Sequence, residues 1–359
     1  MLVSRIWLTD FRNYTTAETA LAPGLTVVVG GNGEGKTSLL EAVAYLATLS
    51  SFRSAPTEAL VRQGCERAIV RAEGRRGPRD LLLEAEVPVN GRARVAVNRQ
   101  PLRRSRDLLG ALRVTVFSPD DLALVKGGPG ERRRYLDDAL VALHPKNDAL
   151  RSDLERVLRQ RNTLLRQLGG RLTPEGAATL DVWDAKLVQA GEALAEARQA
   201  LVSTLEPMLA RAYANIAGHE MAVWAHYDAP WREQGLAAAL TLARADELRR
   251  GISLVGPQRD ELGLELEGRP ARTHASQGEQ RALALALRLA AHQVVAGAVG
   301  EPPVLLLDDV FSELDPVRSE ALVAHLPPGQ ALLTTAHALP PGAPPDLVLR
   351  VSDGHLEAA

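Results

Sequence analysis

Leu25-Thr26-Val27-Val28-Val29 runs directly into Gly30-Gly31-Asn32-Gly33-Glu34-Gly35-Lys36-Thr37, and the reading of that junction decides the fold. The apolar, β-branched run has the character of a strand buried on both faces. The segment after it fits G-x-x-x-x-G-K-[ST], the pattern of a phosphate-binding loop. From Thr37 to Leu49 the periodicity is helical. Strand, loop and helix in that order are the context a phosphate loop requires. Its glycines let backbone N–H groups approach phosphate oxygens, and the helix points its positive end at them. The expected nucleotide contacts are Gly30, Gly31, Asn32, Gly33, Glu34, Gly35, Lys36, Thr37 and Ser38. Lys36 is expected to bridge the β- and γ-phosphates of ATP, and the Thr37 hydroxyl to ligate Mg²⁺.

A second half of the site lies far downstream. Val304-Leu305-Leu306-Leu307-Asp308-Asp309 is an apolar strand ending in two carboxylates. Asp308 is placed to hold Mg²⁺ and Asp309 to orient or deprotonate the attacking water, so metal and water have separate partners. Upstream of that strand, Ser276-Gln277-Gly278-Glu279 opens a long helical pattern. Ser-x-x-Glu is a capping box, and the helix start it builds also suits an anion. Ser276, Gln277 and Gly278 are read as serving the ATP of a second copy of the chain. Asp315 before Pro316 caps the next helix and is also placed at the seam of such a pair. His337 follows the apolar strand 331–335 and is a candidate sensor of the γ-phosphate.

The segments between divide the chain. Residues 2–8 alternate as a strand, 68–97 carry short strand-like runs, and 113–117 is another strand. The texture then turns helical. Leu150, Leu154, Leu158, Leu165 and Leu168 share a face, and Leu180, Leu187, Leu194 and Leu201 recur every seven residues with Trp183, Ala190 and Ala197 between. Two antiparallel helices around Gly169-Gly170 bury both stripes. The predicted organisation is an α/β head of residues 1–127 plus 252–359, with an inserted helical arm, short and coiled-coil-like, over 128–251.

Bulk properties bound the rest. Hydrophobic content of 46% and charged content of 24% are ordinary for a globular protein. The lone Cys65 offers neither an internal disulfide nor a zinc cluster. Residues 1–14 carry charges where a secretory leader has its apolar core, and the apolar run 282–299 is interrupted by Arg288 and His292. A cytoplasmic protein with no membrane partner is expected. A net charge of −2 argues against a purely electrostatic nucleic-acid coat. Clusters at Arg103, Arg104 and Arg106, at Arg132 to Arg134, and at Arg156, Arg159, Arg161 and Arg166 are candidate phosphate contacts, or solvated faces.

Longer stretches carry a resemblance. Phe11-Arg12-Asn13-Tyr14, Leu39-Leu40-Glu41-Ala42, Ser51-Phe52-Arg53, Phe117-Ser118-Pro119-Asp120-Asp121-Leu122, Gly256-Pro257-Gln258-Arg259-Asp260-Glu261-Leu262 and Leu306 to Asp315 all resemble the RecF family of bacterial recombination and repair ATPases, of the SMC/ABC type. The resemblance implies an ABC/SMC-type P-loop ATPase head with a short helical arm and an ATP-dependent homodimer. It implies binding to gapped duplex or single-strand/double-strand junction DNA and weak DNA-stimulated ATP hydrolysis. It also implies cooperation with RecR and RecO in loading RecA, and roles in replication recovery and SOS induction. By the same resemblance Arg12 reaches the nucleotide, and the segment around Ser118 couples head to arm. A transport ATPase subunit and a small-molecule kinase are the alternatives. The first would answer to a membrane domain, and the second would have no use for Ser276.

Overall fold

The P-loop strand lies inside a parallel sheet, and the strand carrying the two carboxylates is not its immediate neighbour. In the computed structural model, which describes residues 1–312, 314–336, 342 and 344–359, the strands are β1 (Leu2–Phe11), β2 (Tyr14–Ala20), β3 (Leu25–Val29), β4 (Arg67–Arg76), β5 (Arg79–Pro88), β6 (Arg94–Val97), β7 (Gln100–Pro101), β8 (Val114–Phe117), β9 (Val223–Asp228), β10 (Glu261–Leu266), β11 (Arg269–Pro270), β12 (Val304–Leu307), β13 (Ala331–Thr335), β14 (Leu347–Ser352) and β15 (His355–Ala358). His337 lies outside the described residues.

One six-stranded sheet has the order β15-β14-β3-β13-β12-β8, parallel except for the β14–β15 hairpin. Its central strands are apolar on both faces, as a sheet covered on both sides requires. Strand β13 therefore separates the P-loop strand from the strand that carries Asp308. The other six-stranded sheet is antiparallel, order β2-β1-β4-β5-β6-β7. Helix α1 (Lys36–Thr48) follows the phosphate loop and buries Leu39, Leu40, Val43 and Leu46 in a core shared by both sheets. Each of these leucines contributes roughly 2 kcal/mol of apolar burial.

The helices between are α2 (Pro129–Leu143), α3 (Asp148–Leu168), α4 (Pro174–Ala217) and α5 (Leu236–Arg250), followed by α6 (Gln277–Val299) and α7 (Pro316–Ala324). Helix α6 is long and apolar enough to cross a membrane, yet its apolar window is 67% buried inside the protein, against α4, α2 and β8. Helices α3 and α4 pack as neighbours across the left-handed Gly169-Gly170 turn. Leu180, Leu187, Leu194 and Leu201 are all buried, as the heptad spacing predicts. The second row of the stripe is not 183, 190 and 197, which are only half buried. It is Asp184, Gly191 and Arg198.

Those polar members of the stripe are paired. Arg198 donates two bonds to Asp137, at 2.8 and 2.9 Å, and a third to the Pro257 carbonyl. Arg161 is fully buried, with Asp184, Glu247 and Ser253 as acceptors at 2.6–2.8 Å. Arg132 makes a bidentate pair with Glu261. Arg161 and Arg132 are therefore corrected from candidate nucleic-acid contacts to internal ion pairs. Arg103, Arg104, Arg106, Arg134, Arg156, Arg159 and Arg166 are exposed.

Candidate nucleotide site

The phosphate loop is braced from the β1–β2 turn. Gly35 has φ +122°, and a Cβ there would lie 2.6 Å from Asn13 Nδ2, so only glycine fits. Asn13 Nδ2 donates to the Glu34 carbonyl at 2.6 Å, and the Tyr14 hydroxyl to the Gly35 carbonyl at 3.0 Å. Lys36 is buried, and its Nζ donates to the Gly30 and Gly31 carbonyls, each at 2.8 Å. Its ammonium is thus fixed against the start of the loop, where phosphate oxygens would meet it. Ser38 is buried in the first turn of α1.

Thr37 and Asp308 meet: the threonine hydroxyl donates to Asp308 Oδ1 at 2.8 Å. Thr334, at the end of the intervening β13, donates to the same oxygen at 2.7 Å. Burial pushes the Asp308 carboxyl above the usual range, and the two hydroxyl donors and the Arg53 charge pull it back. A threonine hydroxyl beside a carboxylate is a hard-oxygen pair of the kind Mg²⁺ takes, with phosphate and water completing its shell. Among the described residues no cluster of three His, Cys, Asp or Glu side chains could hold an ion unaided. These residues fit an ion that arrives with a nucleotide.

Asp309 sits in the left-handed region, φ +47°. This conformation costs of order 1 kcal/mol for a residue with a side chain. Its N–H donates to Thr334 Oγ1 at 2.9 Å, and Ser312 donates to its Oδ2 at 2.9 Å. Its Oδ1 is buried without a partner among the described residues, an acceptor left for a further donor such as water.

Arg12 shares a cleft with Gly33 and Ser38 of the phosphate loop and is held from behind. It donates to Glu41 Oε2 at 2.6 Å and Oε1 at 2.7 Å, and to the Ala59 carbonyl at 2.8 Å. Glu41 is fully buried and also accepts from the Ser51 hydroxyl. Ser51 Oγ in turn accepts the Arg53 N–H at 3.1 Å. Arg12 thus spends its hydrogen bonds on α1 and the turn after it, and three family-like segments prove to be one cluster. At its end stands Arg53, exposed, without an ion pair among the described residues, and close enough for its charge to act on Asp308. Sequence reasoning missed Glu41, Arg53 and Thr334 as site residues. For Arg53 the available signal was an arginine after a helix whose chain return it could share with the phosphate loop.

The Ser276 turn is exposed and closed by its own cap. Ser276 Oγ accepts the Glu279 N–H, and Glu279 Oε2 accepts the Ser276 N–H at 2.6 Å. These bonds hold the Glu279 carboxyl below its ordinary range. Ser276 and Gln277 are exposed. A Cβ on Gly278 would lie 2.4 Å from Arg318 Nη1, and Arg318 donates to Asp315, the cap of α7, at 2.9 Å. Tyr213 of α4 is close enough to Glu279 and Arg318 for both charges to act on it. Among the described residues none of Ser276, Gln277, Gly278 and Asp315 hydrogen-bonds the phosphate loop of its own chain.

The Ser118 segment meets α6, and α6 meets the arm helix α2. Asp121 pairs with Arg288 of α6 at 2.5 Å, Arg288 lies over the Tyr135 ring of α2, and Tyr135 donates to the Leu287 carbonyl. A cavity of about 650 Å³ opens beside them, away from the phosphate loop.

Comparison with known proteins agrees in fold and in sequence. The pattern described as the RecF/RecN/SMC N-terminal domain matches residues 2–333. The DNA replication and repair protein RecF of Streptomyces avermitilis is 47% identical over 351 residues, covering 94% of this chain and 93% of that protein. That of Acidothermus cellulolyticus is 46% identical over 357 residues, covering 96% of each. The solved structure of the recombination mediator protein RecF with ATP, in the RecFOR pathway, superposes with a TM-score of 0.90 at 27% identity, covering 100% of this chain and 97% of that one. The Smc head domain of Pyrococcus furiosus shares the fold, with a TM-score of 0.58 at 15% identity. With a braced phosphate loop, an acidic strand one strand away and relatives alike over nearly their whole length, the chain belongs to the RecF family of P-loop ATPases.

Proposed function

We propose that this protein is an ATP-dependent DNA-binding protein of recombinational repair, and that its DNA-binding form is a dimer closed around two ATP molecules. The observation that carries the reading is the division of labour just described. Lys36, Thr37, Asp308 and Asp309 converge on one site, while the capped Ser276 turn and Asp315 are spent on nothing in that site and face outward. Each turn completes the partner's site, with its helix N-terminus directed at the γ-phosphate. Mg²⁺ bound at Thr37 and Asp308 supplies charge neutralisation for the phosphates. Lys36 holds the phosphate oxygens, and Asp309 accepts a proton from, or orients, the attacking water through its unpartnered oxygen. Arg53 adds positive charge on the Asp308 side.

Hydrolysis is slow and stimulated by DNA, and it reopens the dimer. The protein acts in the cytoplasm at gapped duplex or single-strand/double-strand junctions. With RecR and RecO it helps load RecA, which supports replication recovery and SOS induction.

The test is binding to gapped and blunt duplexes of equal length, with and without ATP, alongside Lys36→Arg and Ser276→Arg. The reading expects binding only with ATP, lost in both variants, with Ser276→Arg still binding nucleotide as a monomer. Binding indifferent to ATP and to Ser276→Arg would overturn it.

A further inference from the structure

From Val87 to Arg106 the chain carries six arginines and no carboxylate, in a protein whose net charge is −2. The segment forms the outer edge of the antiparallel sheet: β6 pairs with β5, and β7 follows as the last strand. All six arginines, Arg92, Arg94, Arg99, Arg103, Arg104 and Arg106, are exposed. Arg94 and Arg106 reach Glu86 and Asp148 only at 4.0 and 3.9 Å. The other four make no ion pair or side-chain hydrogen bond among the described residues. Elsewhere on this sheet four arginines are answered, Arg5 by Glu18, Arg67 by Glu86, Arg71 by Glu84 and Arg75 by Asp80, while Arg76 donates to the Gly110 carbonyl and Arg79 has no ion pair among the described residues.

The tip of the hairpin gives a second, independent observation. Val97 pairs with Gln100, so Asn98 and Arg99 form a two-residue turn, with φ +50° and +65°. Positive φ at both positions makes it a type I′ turn, whose second place is normally glycine. Asn98 suits its place: its Oδ1 accepts the Leu82 N–H at 2.8 Å. Arg99 does not. It holds a left-handed conformation that disfavours a side chain, with no ion pair or side-chain hydrogen bond among the described residues in return. A strained arginine presented at a loop tip points to a partner outside the chain.

We infer that the β6–β7 edge, from Arg99 at its tip to Arg92, Arg103 and Arg104 at its base, tracks the sugar–phosphate backbone of duplex DNA. Pairing across the ribbon sets Arg103 opposite Arg94, since Leu102 donates to the Val95 carbonyl, and the Ser105 hydroxyl donates to the Ala93 carbonyl, which holds Arg104 at the base of the ribbon. From Arg92 to the turn the ribbon is roughly 20 Å long, about the axial length of six base pairs. No aromatic residue occurs between Val87 and Arg106, so the edge has nothing on which unpaired bases would stack. Its arginine forks suit phosphate oxygens, which position a protein on DNA without reading sequence.

This inference rests on the DNA-binding reading above and assigns a surface to it. The test is the salt dependence of binding by the full-length protein to a gapped duplex with ATP and Mg²⁺. It compares wild type, Arg99→Gly, the triple variant Arg99→Ser/Arg103→Ser/Arg104→Ser and, as a control, Arg249→Ser/Arg250→Ser at the exposed end of α5. The slope of log affinity against log salt is expected to become shallower by about 1 in Arg99→Gly and by about 2 to 3 in the triple variant. The control keeps the wild-type slope. Glycine suits the turn, so Arg99→Gly should unfold at an unchanged or higher midpoint, and its binding loss cannot then come from misfolding. A triple variant with the wild-type slope would overturn the assignment while leaving the DNA-binding reading intact. Wild type that fails to bind at any salt would overturn both.

Discussion

Replacing Arg12 by methionine separates two accounts of the first strand's arginine. The resemblance implies that it reaches the nucleotide; the structure buries its guanidinium against Glu41. Arg12→Met leaves Glu41, whose side chain is 0% exposed, with only the Ser51 hydroxyl as a partner. Removing one member of a buried ion pair costs about 3–5 kcal/mol, because the remaining charge is uncompensated. The Arg12 side chain is 16% exposed, so partial solvent screening places the expected loss near the lower end, at about 3 kcal/mol. Glu41→Met alone strands an arginine that keeps some water and the Ala59 carbonyl, and costs about 2 kcal/mol. The double variant replaces both charges by apolar groups and should be less destabilised than the sum by at least about 2 kcal/mol. Urea unfolding of the four proteins gives the cycle, and nucleotide titration of the same samples gives the site readout. The expected result is a large coupling energy with ATP affinity within about threefold of wild type, a difference under about 0.7 kcal/mol. A loss of stability below about 1 kcal/mol in Arg12→Met, with ATP affinity down tenfold, would refute the clamp and restore Arg12 to the nucleotide.

Two further outcomes are expected. His292 is buried on α6, with Nδ1 3.1 Å from Thr115 Oγ1, its Nε2 unpartnered among the described residues, and its pKa lowered by burial to about 4. Its folded pKa lies below the ordinary value of about 6.5, so its stabilisation is complete above that pH and is lost as pH falls toward 4. The span is about 3 kcal/mol. His292→Leu should flatten the fall in unfolding free energy between these limits, and an unchanged difference from wild type across that range would sink the account. Arg53→Ala should lower ATP turnover by roughly 10²-fold while nucleotide affinity changes little. Unaltered turnover would show that the Arg53 charge does not act on the reacting phosphate.

The site was legible where its chemistry is local. The phosphate loop, the Ser276 capping box and the strand with two terminal carboxylates each lie within a few consecutive residues, and the structure places them on the elements read for them. Interactions across the chain were not legible. Thr334 joins Thr37 on the same Asp308 oxygen only because β13 is interposed between β3 and β12, an ordering that short apolar strands do not encode. Arg132 and Arg161 looked like surface charge because their carboxylates are 129 and 86 positions away in Glu261 and Glu247. The heptad on α4 was found from its leucines, but the partner row was misassigned because its members are an aspartate, a glycine and an arginine. Hydrophobic periodicity has no means of seeing a buried salt bridge.

Helix α4 has a mechanical consequence. Its 44 residues extend roughly 66 Å at the α-helical rise. One end carries Asp184, locked to Arg161 and Arg244, and the other carries Tyr213 beside Glu279 and Arg318. A rod of that length converts angle into distance: a tilt of about 5° at one end moves the other by roughly 6 Å, the height of one helical turn. Pro207 lies between the two ends and leaves one backbone carbonyl without its N–H donor, which makes that turn the compliant point of the lever. A displacement at the Tyr213 end is thereby geared up toward the far end of the helix, with gain set by length and backlash set at Pro207.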